Sequence, residues 1–157
     1  MKFISIFYIA ISVCMLFISC TIQTPFQAGV ISKADIKENL VYLSITEVTL
    51  NNNNAENKNF WEGVDSVSDD IKQQNGLIGF SMKKELFGNK AWTYSLWKDE
   101  ESIEKFIYGR THKNAMKSGR SAIKNAKFAR VKLNANELPI SWNRVFELLE
   151  IHGESQY

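Results

Sequence analysis

From Gly76 to Trp97 the chain alternates residue by residue around one tight turn, and it carries bulk on both sides of the alternation. Ile78, Phe80, Met82 and Leu86 alternate with Gly79, Ser81, Lys83 and Glu85. Phe87-Gly88-Asn89-Lys90 turns the chain, and Trp92, Tyr94 and Leu96 then alternate with Ala91, Thr93, Ser95 and Trp97. A period of two on either side of a glycine-containing turn predicts an antiparallel hairpin. A sheet wetted on one side has no use for large apolar residues on both faces, so something besides the chain's own helices is expected to cover the second face.

The flanking segments supply the partners of this hairpin. Val41, Leu43 and Ile45 alternate as a strand, and the pattern shifts near Glu47 to Val48 and Leu50, which predicts a bulge or the strand's end there. Over residues 58–74, Phe60, Val64, Val67 and Ile71 fall at helical spacing, Trp61 borders that stripe, and Gly76 is a fitting stop. Asp99 is a natural N-cap, followed by Glu100 and Glu101 where the helix dipole favours negative charge. Ile103, Phe106 and Ile107 form the buried stripe of that helix. After Gly109 the stripe moves to His112, Ala115, Met116, Gly119 and Ile123, which predicts a kink or a restart near residues 109–111. Residues 127–133 alternate as a fourth strand, and Pro139 and Ser141 introduce a last helix with Trp142, Val145, Leu148 and Leu149 inward. The order is βαββαβ with an extra C-terminal helix, the α+β ferredoxin-like pattern.

The N-terminus has the anatomy of an export signal: Lys2, then an apolar run from Phe3 to Ile18 broken by Ser5, Ser12 and Cys14. It ends in Ser19-Cys20, which resembles the lipobox of bacterial lipoproteins, where a small residue precedes the cysteine that becomes the acylated first residue. The expected organisation is a signal peptide over 1–19, lipidation at Cys20, a polar tether over 20–39 and one folded domain over 40–153. The expected location is the bacterial cell envelope, held to its membrane by the N-terminal lipid. Cys14 would leave with the signal and Cys20 would be modified, so no thiol remains for a disulfide or a metal site. Without Lys2 the charge is 18 basic against 17 acidic residues, and bulk charge points to no partner.

With Asn75-Gly76-Leu77-Ile78-Gly79-Phe80, Tyr94-Ser95-Leu96-Trp97-Lys98-Asp99, Ser102-Ile103 with Phe106, and then His112, the sequence resembles the dimeric α/β-barrel superfamily. That group includes the antibiotic-biosynthesis monooxygenases and the spheroidene monooxygenase-like proteins, and the nearest likeness is to an uncharacterised bacterial branch. The resemblance implies a homodimer paired sheet to sheet, which would cover the second apolar face, with a pocket between each sheet and its helices or at the barrel rim. It also offers haem as a cofactor. Haem-degrading members use a strand asparagine, a helix tryptophan and a helix histidine; here Ser44–Val48 holds no asparagine, Phe106 stands at the tryptophan position, and His112 comes about one turn early.

His112 is the sharpest single candidate, in an apolar stripe near a helix N-terminus that favours the neutral, ligating imidazole. Phe80, Trp92, Tyr94, Trp97, Tyr108 and Met116 are the candidate lining of a pocket for a hydrophobic or ring-shaped small molecule. From Lys105 to Asn136 there are nine basic residues and no acidic one, a run suited to anionic headgroups or a carboxylate-bearing ligand. Nucleic acid is not expected for an exported protein. Three classes remain open: a ligand-binding protein, a monooxygenase-like enzyme with His112 as base or iron ligand, and an assembly protein whose pocket is filled by its own side chains.

Overall fold

A computed structural model describes residues 20–31, 36 and 39–156; the expected signal peptide lies outside the described residues. In chain order the elements are β1 (Thr21–Gln23), β2 (Gln27–Ala28), β3 (Leu40–Leu50), α1 (Asn54–Ile71), β4 (Leu77–Glu85), β5 (Lys90–Trp97), α2 (Glu100–Ile107), α3 (Arg110–Gly119), β6 (Ile123–Asn134), α4 (Trp142–His152) and β7 (Glu154–Gln156). The four long strands lie in the antiparallel order β4-β5-β3-β6, the ferredoxin-like arrangement expected from βαββαβ. β1 and β2 extend the β4 edge, and β7 extends the β6 edge.

Two helical layers enclose the sheet. On one face, α1 and α2 bury Ile71, Ile103 and Phe106 with Leu77, Phe80 and Trp97, while Phe60 and Trp61 of α1 cover Val48, Leu50, Ala91 and Ala126. α3 packs on α1, where Gly63 meets Ala115 and Gly119 meets Phe60. On the opposite face, Trp142, Val145, Leu148 and Leu149 of α4 are buried against Val41, Leu43, Ile45, Trp92, Tyr94, Leu96, Ala129 and Leu133. The face that a second copy was expected to cover is thus closed within one chain. Trp92 is 8% exposed and Trp97 is 0% exposed, so the bare surface that motivated a homodimer is not there.

The shift of pattern at Glu47 also has a different cause from the expected bulge. β3 pairs with β5 without interruption from Tyr42 to Thr49, and the irregularity in its pairing with β6 comes only between Thr49 and Leu50. Strand parity is unchanged through Glu47. What changes is the covering helix: α4 buries Val41, Leu43 and Ile45, whereas α1 buries Val48 and Leu50 on the other face. The stripe of α3 stops at Gly119, and Ile123, expected on that helix, opens β6 instead. Gly76 joins α1 to β4 with φ +94°, and a Cβ there would collide with Ser102 Oγ.

The expected tether is docked over much of its length. Thr24 N–H donates to the Met82 carbonyl at 2.8 Å, Ser81 Oγ donates to the Thr24 carbonyl at 2.9 Å, and Ile31 N–H donates to the Leu77 carbonyl at 2.9 Å. The Phe26 ring lies over Gly79, which has no Cβ to exclude it, and stacks on Tyr94 at 6.4 Å. Backbone pairing is indifferent to side-chain polarity, so a polar sequence pairs with an open strand edge as well as an apolar one.

Closure by α4 has a direct thermodynamic test. Leu148→Ala, at a site 3% exposed, is expected to lower unfolding free energy by about 2–5 kcal/mol. Ile151→Ala, on the 64% exposed side of the same helix, should stay within about 0.5 kcal/mol of the parent in chemical denaturation.

Candidate functional site

α2 starts where Asp99 Oδ1 accepts the Ser102 N–H at 2.8 Å, and it ends where Gly109 N–H donates to the Phe106 carbonyl at 3.0 Å. Gly109 then serves as N-cap of α3 without a side-chain cap, and no acidic residue sits in that helix's first turn. His112 occupies this first turn, half-buried. Its Nδ1 lies 3.1 Å from the Ile107 carbonyl, a contact that requires the proton on Nδ1 and leaves the lone pair on Nε2. Phe106 flanks the imidazole at a ring separation of 5.1 Å, and the Trp97 indole lies 5.3 Å beyond it.

Across the helix seam stands Asp70, near the end of α1. Its Oδ1 accepts from Thr111 Oγ1 at 3.2 Å and its Oδ2 from Gln74 Nε2 at 2.8 Å, so both carboxylate oxygens are held. Burial pushes the His112 pKa below the ordinary histidine value; the hydrogen bond to Ile107 and the Asp70 charge pull the other way without restoring it. A neutral imidazole with a fixed Nδ1–H can accept a hydrogen bond, take up a proton or bind a metal through Nε2. Among the described residues no cluster of three or more His, Cys, Asp or Glu is arranged to hold a metal ion.

The structure divides the other expected pocket residues among separate places. Trp92 and Tyr94 lie on the α4 face: Trp92 Nε1 donates to Glu47 Oε2 and its ring is 5.5 Å from Phe146, while Tyr94 is 4.9 Å from Trp142. Burial raises the Tyr94 pKa, which keeps its phenol protonated. Trp97 and Phe80 are on the α1–α2 face, where Trp97 Nε1 donates to Ser95 Oγ at 2.8 Å. Tyr108 is 64% exposed under Lys113 Nζ at 5.5 Å, and Met116 is half-buried one turn along α3 from His112. His112, Trp97 and Tyr94 therefore do not line one pocket: the sheet stands between Tyr94 and the other two. Asp70 and Thr111, which complete the His112 neighbourhood, are 41 positions apart and carry no local signal that would pair them.

Two concavities open elsewhere on the domain. One, of about 260 Å³, is lined by Gln73, Gln74, Asn75, Lys98, Asp99, Glu101, Ser102 and Lys105. The other, of about 200 Å³, includes Asn57, Trp61, Lys84, Glu85 and Asn89. Both fall below the usual size of a small-molecule site, about 300–1,000 Å³.

The basic run from Lys105 to Asn136 is spread over α2, α3, the turn at Arg120–Ala122 and β6. Lys105 pairs with Glu101 at 2.6 Å, Lys127 pairs with Glu150 at 3.1 Å, and Lys132 lies 5.3 Å over the Tyr42 ring.

No family model matches the chain, and no curated protein is significantly similar to it in sequence. Solved structures do share its fold. A candidate monooxygenase from Lactobacillus acidophilus NCFM superposes with a TM-score of 0.53 at 11% identity over 68% of this chain and 48% of that one. A candidate monooxygenase from Fusobacterium nucleatum gives 0.55 at 14% identity over 62% and 45%. A candidate antibiotic-biosynthesis monooxygenase from Nitrosomonas europaea gives 0.52 at 10% identity over 64% and 94%. The chain spans about half the length of the first two. It has the α+β ferredoxin-like fold of antibiotic-biosynthesis-monooxygenase-like proteins.

The lowered pKa of His112 fixes the sign of one pH effect. Between that value and about 6.5 the unfolded chain binds more proton than the folded one, so stability falls as pH falls through this window. NMR titration should place His112 below the ordinary histidine value, and His112→Gln should flatten the acid side of the stability profile.

Proposed function

We propose that this chain is a lipid-anchored envelope protein whose monooxygenase-like domain holds a hydrophobic, ring-bearing small molecule at the seam of α1, α2 and α3, with His112 as its polar contact. The observation that carries this reading is the fixed imidazole: Nδ1 is tied to the Ile107 carbonyl and burial keeps the ring neutral, so Nε2 offers a lone pair beside Phe106. A ring hydroxyl would donate to Nε2, with Phe106 flanking the imidazole at 5.1 Å. Anchoring is supported by the signal-like run ending in Ser19-Cys20 and by the exposure of Cys20.

Haem does not suit these residues. The two concavities of about 260 and 200 Å³ fall below the roughly 300 Å³ of a small-molecule site, and neither is lined by His112. A second reading, assembly without a ligand, is favoured by Trp92, Tyr94 and Trp97, all consumed by packing and hydrogen bonds.

The test uses 1-naphthol as the probe with the full lipidated chain in detergent. Binding should weaken about tenfold in His112→Ala, the equivalent of one hydrogen bond. It should also be lost as pH falls through the lowered pKa of His112. Equal affinity in the variant, or no binding by the parent, would leave the assembly reading. Separately, Cys20→Ser should move the protein from the membrane to the soluble fraction, and retention in the membrane would remove the anchor.

A further inference from the structure

We infer that the tip of the β4–β5 hairpin is a second membrane contact, with Leu86 and Phe87 entering the lipid interface beside the anchor on Cys20. This inference rests on the lipid-anchored reading above and adds how the domain is held. The Cys20 carbonyl accepts the Leu86 N–H at 2.8 Å, and β1 begins at the next residue with Thr21 opposite Glu85, Ile22 opposite Lys84 and Gln23 opposite Lys83. No slack lies between anchor and domain. A lipid carried on the Cys20 sulfur therefore leaves the protein within about one strand spacing, roughly 5 Å, of Leu86.

The tip has the chemistry of a surface that meets lipid. Phe87 is 93% exposed and Leu86 44%, and Ile22 on the paired strand is 45% exposed. Water around an isolated aromatic tip is costly, and the headgroup–acyl boundary accepts such a side chain readily. Lys90 and Lys124 stand at the same end of the sheet, as Thr49 pairs with both Lys90 and Asn125. Cations there are drawn to an anionic leaflet. Of the acidic groups near that end, Glu85 accepts the Lys90 N–H, Glu56 accepts from Asn51 Nδ2, and Glu47 lies 3.7 Å from Lys90 Nζ, so exposed Lys124 is the cation offered to the leaflet. A bilayer, rather than a second copy or another protein, is the occupant because the anchor on Cys20 would bring the tip to it.

Phe87→Cys in the full chain provides the measurement, since lipid on Cys20 leaves the new cysteine as the one free thiol of the mature protein. The protein is labelled with an NBD fluorophore and reconstituted into vesicles of phosphatidylethanolamine and phosphatidylglycerol, with and without brominated acyl chains. Glu104→Cys, exposed on α2 at the far end of the domain, is the control. The expected result is one dye per chain, blue-shifted emission at position 87, and bromine quenching there several-fold greater than at 104. One dye per chain with equal, water-like emission at both positions would overturn the tip contact while leaving the anchor intact, and a protein partner at the tip would give that result. Two dyes per chain, or three if Cys14 is also retained, would show Cys20 unmodified and remove the anchor and this inference together.

Discussion

The packing of α4 on the sheet is the contact from which the rest of the architecture follows. A four-stranded sheet with Trp92, Tyr94 and Leu96 on one face and Phe80 and Trp97 on the other is unstable in water until both faces are dry. α1 and α2 dry the first. α4 dries the second by placing Trp142 and Phe146 edge-on to Tyr94 and Trp92, at 4.9 and 5.5 Å. The Trp92 indole N–H, which this burial would otherwise strand, finds Glu47, whose carboxylate is in turn 3.7 Å from Lys90 Nζ. Lys83 completes the layer with its Nζ 5.3 Å over the Phe146 ring.

Periodicity is blind to what covers a face, and that explains which features were legible in the sequence. Alternation identified every long strand, and the Asp99 and Ser141 caps located the starts of α2 and α4, because those signals are local. The apolar stripe Trp142, Val145, Leu148 and Leu149 was equally visible, and so was the uncovered sheet face. Matching one to the other shows that this face is covered from within the chain. At Glu47 the alternation changed phase without any change in the backbone, because a strand crossing under two helices on opposite sides is buried first on one face and then on the other.

The candidate site was less legible, for two distinct reasons. Strand parity already places Trp97 opposite Trp92 and Tyr94, since an odd separation along β5 reverses the face; grouping them as one ring-binding surface conflicts with the pleat itself. By contrast, nothing local joins Asp70 to Thr111. Their hydrogen bond depends on α1 and α3 lying side by side, which Gly63 and Ala115 permit by their small size. His112 stood out because a lone titratable group in an apolar stripe is unusual, but its partners are tertiary.

Cys20 and His112 occupy opposite ends of the domain, and the topology requires this. α1 begins beside the β3 end of the sheet, where Leu50 N–H meets the Asn89 carbonyl at the hairpin, and runs 18 residues, about 27 Å, to Asp70 and Ile71. α3 returns along it, from Thr111 and His112 beside Asp70 to Gly119, and the next turn brings the Ala122 carbonyl to the Asn51 N–H. His112 thus sits at the α1 terminus and Cys20 at the hairpin tip, with the length of the helices between them. A domain held by Cys20 and steadied at Phe87 would point the His112 seam away from the bilayer, toward solutes reaching it through water. That orientation separates a membrane-extracted ligand from a diffusing one by geometry alone, since lipid and imidazole cannot meet across the length of α1.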